Sequence, residues 1–403
     1  MAGESILDKI MTQKQAEKIG RLHVSDIIET LLGRLNERER DILKRRFGLN
    51  QAERSTLEEI GQSHNLTRER VRQIETGSVA KLKKLEDLST LVYDLKSLVT
   101  LLLEDHGGLM DREYLFDILL TLALDRSRAK VEDLPIYRNH FNFLISKIMD
   151  TDIALLEHLP NFNASFKLRY QELDHIEALA KELLTKIKTA KNLFITDELL
   201  TLVKDLESYK KSEPKFASKN GLDLTESLRG ILPDNELSSA NDDKPLFSIL
   251  KSIADLEQNK FGHWGHSDSR EVKPKTINDK IYLVLKHNGK PMHYEDISKT
   301  INETGFDGKK VNTATVHNEL ILDGKYVLVG RGLYALKEWG YSKGTVADVI
   351  TEVLKKAKHP MTKKEITEEV MKQRMVKKTT IDLALMNKKR FERQTGNKYA
   401  LVK

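Results

Sequence analysis

The run Thr67-Arg68-Glu69-Arg70-Val71-Arg72-Gln73-Ile74-Glu75 gathers side chains that can read base edges. A guanidinium can give two hydrogen bonds to guanine, a glutamine amide can pair with adenine, and a carboxylate can accept from cytosine. Thr67 is placed to cap a helix, with Arg70 three residues on. Such a helix puts Arg68, Glu69, Arg72 and Gln73 on one exposed N-terminal face and turns Val71, Ile74 and Leu82 inward. A salt-bridged solvent face uses the same residue types, so the chemistry depends on the elements that present the helix.

Those elements are legible. Leu31, Leu32, Leu35, Ile42, Leu43 and Phe47 recur at helical spacing. Asn36 and Glu39 stand as a capping box, and Gly48 ends that helix. In Ser55-Thr56-Leu57-Glu58-Glu59-Ile60-Gly61, Thr56 and Glu59 form a second capping box for a short helix. Gly61 and the polar Gln62–Asn65 then lead to Thr67. Two short helices joined by a tight turn, the second rich in exposed Arg, Glu and Gln, match the DNA-binding helix-turn-helix.

The stretch LNERERDILKRRFGLNQAERSTLEEIGQSHNLTRERVRQIE, within Ser25–Leu85, resembles region 4 of the primary bacterial sigma factors. Arg46–Leu49, Thr56–Gly61 and Thr67–Glu75 carry the resemblance, in order and without a gap. It implies reading of the upstream promoter hexamer, with Arg68, Glu69, Arg72 and Gln73 facing bases and Arg38, Arg46, Leu57, Thr67 and Arg70 positioning the phosphate backbone. It also implies docking on the flap of the RNA polymerase beta subunit, for which Leu31, Leu32, Leu35 and Phe47 are candidates. The same four residues suit a plain core. The family usually carries basic residues at the positions of Gly77 and Ala80. No stretch resembles the sigma domain that binds the polymerase clamp and melts the downstream hexamer, so a complete initiating sigma factor is not expected.

Composition bounds the rest. The chain has 403 residues, and roughly 150 per domain gives about three domains as a starting expectation. There is no cysteine, which excludes disulfides, cysteine-ligated metal centres and thiol catalysis. Apolar runs such as Leu98–Leu103 and Ile118–Leu124 fall far short of the roughly 18 residues of a membrane span. Met1–Lys18 has no apolar signal segment, so an intracellular protein is expected. The net charge of +6 is uneven: residues 1–90 carry +2, 91–260 carry −7 and 261–403 carry +11. A basic module suits a polyanion; a solvated lysine surface has the same composition.

The basic tail repeats. IYLVLKHNGKPMHYEDISKTI from Ile281 aligns with ITEVLKKAKHPMTKKEITEEV from Ile350 at an offset of 69. TVHNELILDGKYVLVGRGLYAL from Thr315 aligns with TIDLALMNKKRFERQTGNKYAL from Thr380 at an offset of 65, with the gap in the loop around Thr304–Lys309. Each copy reads helix, Pro-Met turn, helix, helix, strand, glycine turn, strand, which is a winged helix. The hairpins are Tyr326–Val329 with Leu333–Leu336, and Phe391–Gln394 with Lys398–Leu401. The pattern resembles the HARE-type helix-turn-helix family, which includes the N-terminal domain of the RNA polymerase delta subunit. The second copy has Lys377, Lys378, Lys388, Lys389, Arg390 and Arg393 on its third helix and wing, as candidate nucleic-acid contacts. The first has Lys325 and Arg331 in the matching wing and suits a protein contact.

The acidic middle reads as helices over Leu91–Glu104, Arg112–Leu124 and Asn139–Met149, then a hairpin around Asn161–Asn163. Gly107-Gly108-Leu109-Met110 falls where the tail copies have their Pro-Met turn. Two amphipathic helices cover 172–210, and Ser212–Asp243 reads as a linker or loop-rich wing. Ile253–Trp264 supplies strands for another degenerate unit. The expected fold is mainly α: an N-terminal helix-turn-helix over 1–88, then tandem winged-helix modules over 89–171, 172–272, 273–340 and 341–403.

Catalytic and cofactor chemistry finds no constellation. Gly330-Arg331-Gly332 opens no helix, so it is no phosphate loop. His263, His266 and Asp268 imitate a metal cluster but read as loop polar groups. Trp264 and Trp339 read as core or linker anchors, and the pairs Glu58/Glu59 and Glu368/Glu369 as exposed helix faces. The expectation is a non-enzymatic, sequence-specific DNA-binding transcription protein without cofactor, membrane or small-molecule substrate. Its partners would be double-stranded DNA and the RNA polymerase core, and its place the cytoplasm and nucleoid of a bacterium. The alternative is a delta-like RNA polymerase accessory subunit that binds polymerase rather than DNA.

Overall fold

The computed structural model describes residues 23–123, 131–190, 192–218, 221–341, 344–374, 376–394 and 396–402. The reading of Met1–Lys18 lies outside them. The chain divides into two compact units, one up to Gln258 with Gly262–Ser267, the other Asn259–Phe261 with Asp268 onward. Helices dominate, and the sheets have two or three short strands. Among the described residues, no helix is long and apolar enough to cross a membrane, and no group of three acidic or histidine side chains is arranged to hold a metal ion.

The first unit opens with α1 (Val24–Gly33), α2 (Glu37–Phe47), α3 (Leu57–His64) and α4 (Arg68–Lys83). Both capping boxes form, at Asn36 with Glu39 and at Thr56 with Glu59. The short helix does not stop at Gly61; it continues to His64, and Asn65 ends it in the left-handed conformation at φ 54°. Asn tolerates that region because its side chain hydrogen-bonds locally.

Then follow α5 (Tyr93–Asp105), β1 (Leu109–Asp111), α6 (Arg112–Ala123), α7 (Leu134–Phe143), β2 (Ile153–Leu156) and β3 (Ser165–Leu168). The antiparallel sheet has the order β1-β3-β2, with Met110 opposite Phe166 and Leu155 opposite Phe166 on the other side. Next come α8 (Asp174–Ala190), α9 (Thr196–Lys204), α10 (Lys244–Ser252), β4 (Leu256–Gln258) and β5 (Trp264–His266). Here the first strand shrinks to one residue, Phe194, which exchanges both backbone hydrogen bonds with Trp264 at 2.9 and 2.7 Å. The Trp264 indole donates to Thr196 Oγ1 at 2.9 Å.

Ser212–Asp243 is not a linker. It contains short helices, and Phe216, Leu222, Leu224, Leu228, Leu232 and Leu237 join the main core. Asp105, fully buried on α5, accepts from Ser218 Oγ and from the backbone N–H groups of Gly221 and Leu222. The polar composition that suggested a linker includes the groups that tie this segment down.

The second unit holds both tail copies. The first has α11 (Ile277–Asn288), β6 (Met292–His293), α12 (Tyr294–Thr304), α13 (Thr313–Leu322), β7 (Tyr326–Leu328) and β8 (Leu333–Leu336). The second has α14 (Val346–Ala357), β9 (Met361–Thr362), α15 (Lys363–Gln373), α16 (Lys378–Leu385), β10 (Phe391–Gln394) and β11 (Lys398–Leu401). The hairpins fall where the alternation placed them. The sheets, however, have three strands: the Pro-Met turns continue into two-residue strands, giving orders β6-β8-β7 and β9-β11-β10. Each tail copy encloses its own core, around Ile281, Ile297, Val316 and Tyr334 in the first and Ile350, Ile366, Ile381 and Phe391 in the second. Arg374, buried at the end of α15, donates to Leu328 O of β7 at 2.9 Å and to Gly344 O, so it touches both copies.

Candidate nucleic-acid interface

The base-reading candidates sit where two local constraints converge. The first is the turn between α3 and α4. A Cβ on Gly61 would stand 2.7 Å from the Leu66 carbonyl oxygen, a backbone atom that cannot yield cheaply. Glycine therefore lets α3 approach the turn. The second is a small apolar cluster of Ile42, Ile60 and Val71 with Leu57, Leu66 and Ile74 packed on it, which fixes α4 against α2 and α3. Thr67 caps α4 by accepting from Arg70 N at 3.2 Å.

Arg68, Glu69, Arg72 and Gln73 are all exposed. Two of them are already paired. Arg72 donates from Nε and Nη2 to the two Glu69 carboxylate oxygens at 2.9 and 2.7 Å. This bidentate pair keeps the Glu69 carboxyl below its ordinary range, through the Arg72 hydrogen bonds above all, and raises the Arg72 guanidinium. Arg70 Nη1 donates to Gln73 Oε1 at 3.1 Å. The face therefore carries its charges as mutually oriented i, i+3 pairs.

The backbone-positioning candidates spread further. Arg38 is exposed at the far end of α3, with Nη2 3.5 Å from His64 O. Leu57 opens α3, half-buried on the small cluster. Its backbone N–H belongs to a helix N-terminus, which suits a phosphate. Arg46 is half-buried and works within the module: Nε donates to Glu75 Oε2 and Nη1 to Ser55 O, both at 3.3 Å.

Leu31, Leu32, Leu35 and Phe47 are no surface. All four are buried in the main core, and Phe47 meets Phe143 of α7 with ring centroids 4.9 Å apart. Sequence reasoning missed what holds this seam. Asn139 Nδ2 donates to Gly48 O at 3.1 Å and Ala52 O at 3.2 Å, while its Oδ1 accepts from Arg54 at 2.9 and 2.6 Å. His140 Nε2 donates to Leu49 O at 2.8 Å, and burial pushes its pKa down. Gly48, at φ 66°, admits this approach: a Cβ there would stand 2.5 Å from Asn139 Nδ2. The available signal was a polar Asn-His pair in an otherwise apolar helix.

In the last tail copy, Lys377, Lys378, Lys388, Lys389, Arg390 and Arg393 are exposed. They do not share the third helix and wing as expected. Lys377 caps α16 and Lys378 opens it, but α16 ends at Leu385, so Lys388, Lys389 and Arg390 occupy the turn before β10. Arg390 Nη1 donates to Asp348 Oδ1 at 2.6 Å, and Arg393 pairs with Asn397 across the wing. The Thr345 hydroxyl and Arg390 together hold the Asp348 carboxyl well below its usual range.

Comparison with known proteins agrees with two parts of this layout. Residues 31–84 match the family model for sigma-70, region 4. Residues 344–402 match the HARE-HTH family model, an HTH domain described for ASXL and restriction endonuclease proteins. Over 61 residues the chain is 46% identical to the RNA polymerase principal sigma factor HrdD of Streptomyces viridifaciens, covering 15% of this chain and 18% of that protein. It is 43% identical over 67 residues to the RNA polymerase sigma factor SigA of Microcystis aeruginosa, covering 17% and 16%. With the RNA polymerase sigma factor RpoD of Helicobacter pylori the identity is 44% over 82 residues, covering 20% and 12%. The chain thus spans less than a fifth of the length of these relatives. No solved structure matches it.

Proposed function

We propose that this chain is a sequence-specific DNA-binding transcription protein, sigma-factor-like, whose α4 reads an upstream promoter element from the major groove. It acts in or on transcription initiation in the bacterial cytoplasm and nucleoid. The observation that carries the reading is the exposed quartet Arg68, Glu69, Arg72 and Gln73 on the first turns of α4, behind a glycine-tight helix-turn-helix turn. The similarity of residues 31–84 to sigma-70 region 4 supports it. In this reading Arg38, Leu57, Thr67 and Arg70 set the register on phosphates, and Arg46 orders the module from within. The modules from 89 onward add protein contacts, and the basic last module faces a polyanionic or acidic partner.

RNA polymerase core is the second partner of this reading, as the names of the relatives suggest. Contact with its flap through Leu31, Leu32, Leu35 and Phe47 would require α7 to leave, so the polymerase contact uses another surface. The test is selection of bound sequences from random duplex DNA by the full chain, with and without core polymerase. A recurrent motif whose enrichment is lost in Arg72→Ala supports base reading. Co-purification with polymerase, without any sequence enrichment, turns the assignment to an accessory subunit.

A further inference from the structure

The last module leaves apolar side chains in water in a way its own fold does not need. Leu383 is 68% exposed and Met386 70%, one turn apart on α16 and its C-terminal cap. Met371, 46% exposed, belongs to an open groove of about 960 Å³ between α15 and α16, lined also by Thr367, Lys372, Lys378 and Asp382. Met386 lies four residues beyond Asp382, so it prolongs the α16 wall of that groove.

The preceding copy repeats the feature. At the offset of 65, Met386 corresponds to Ile321, which is 61% exposed, with Leu322 beside it at 80%. Scattered exposed apolar residues need no explanation, but an apolar cluster rimmed by charge marks an interaction surface. Here the rim is cationic: Lys372, Lys377, Lys378, Lys388 and Lys389 surround the ridge, and residues 341–403 hold 16 basic and 7 acidic groups. Duplex phosphates would satisfy the lysines and leave Leu383, Met386 and Met371 without an apolar counterpart. An amphipathic helix satisfies both at once, with apolar side chains in the groove and carboxylates against the rim.

We propose that the α15–α16 groove and the Leu383–Met386 ridge dock an acidic amphipathic helix of a partner protein. The helix presents apolar side chains at i, i+3 or i+4 and i+7, flanked by Asp and Glu. This surface is separate from α4 and its function is independent of DNA reading there. It recasts Lys377, Lys378, Lys388 and Lys389 as a rim around protein.

The test uses the full chain as bait for a phage-displayed library of random helical peptides, with Leu383→Ser/Met386→Ser as counter-bait. Both side chains are exposed, so the double variant keeps its core. Enriched peptides are expected to carry the apolar spacing and acidic flanks. A synthetic winner is expected to bind the double variant about tenfold or more weakly, and to lose affinity several-fold as salt is raised. No enrichment, equal enrichment on the double variant, or winners without acidic flanks overturns the proposal. So does a filter assay in which the double variant loses duplex DNA binding, because the ridge would then be a nucleic-acid contact.

Discussion

The two ends of the described chain hold their surface helices in opposite ways. α4 rests on a small cluster of Ile42, Ile60 and Val71, and the rest of its module merges with a core that runs from Val24 to Trp264. α16 rests on a core closed within its own copy, from Val349 to Phe391. The first helix-turn-helix is a projection of a larger body, while the last copy is a domain in its own right. Similarity over 31–84 therefore marks a stretch that matches by itself but does not pack by itself.

The strongest challenge to that contrast is Phe143→Ala. It removes the ring against Phe47 and should cost about 3–5 kcal/mol. Hydrogen exchange should show the amides of α1 and α2 losing protection together with those of α7. If α1 to α4 keep their protection, the module is independent and the contrast fails. Ile366→Ala probes the other end, at about 2–4 kcal/mol. Its loss of protection should stay within 344–402; spread into α1–α4 would contradict a separate core.

A pH scan sharpens the comparison. Burial pulls His106 down to about 4 and also lowers His140 and His175, all in the first unit. Each is neutral in the fold and takes up a proton on unfolding below the unfolded value of about 6.5. The unfolded chain then binds more protons, so stability falls as pH drops from about 6.5 towards 4. A loss of about 1–3 kcal/mol should appear by calorimetry in the transition that Phe143→Ala shifts; a flat transition over that window refutes the assignment. The smallest effect is Arg72→Ala, about 1–3 kcal/mol at one base position, read by competition between matched and mismatched duplexes. Equal losses on specific and random DNA would remove base reading from Arg72.

Sequence pattern carried the local decisions. Asn36, Thr56 and Thr67 cap where expected, because a capping residue and its partner three positions on satisfy each other without tertiary help. The hairpins at Tyr326–Leu336 and Phe391–Leu401 were legible for the same reason. The third strand of each tail sheet was not, since two residues are too few to show a period. Nor was the segment 212–243, whose order depends on Asp105, more than a hundred positions away. The seam at Asn139 and His140 stayed hidden because both spend their hydrogen-bonding capacity on distant backbone carbonyls and on Arg54.

Arg374 has a consequence for how the tail responds to cleavage. Its guanidinium sits in the last copy and grips Leu328 O in the one before. A protease nick in the short connection between the copies would therefore leave two pieces still stapled through this cation. Because arginine stays protonated across any pH the cell visits, acid would not release the staple, whereas replacing it with methionine should let the nicked halves drift apart on a sizing column.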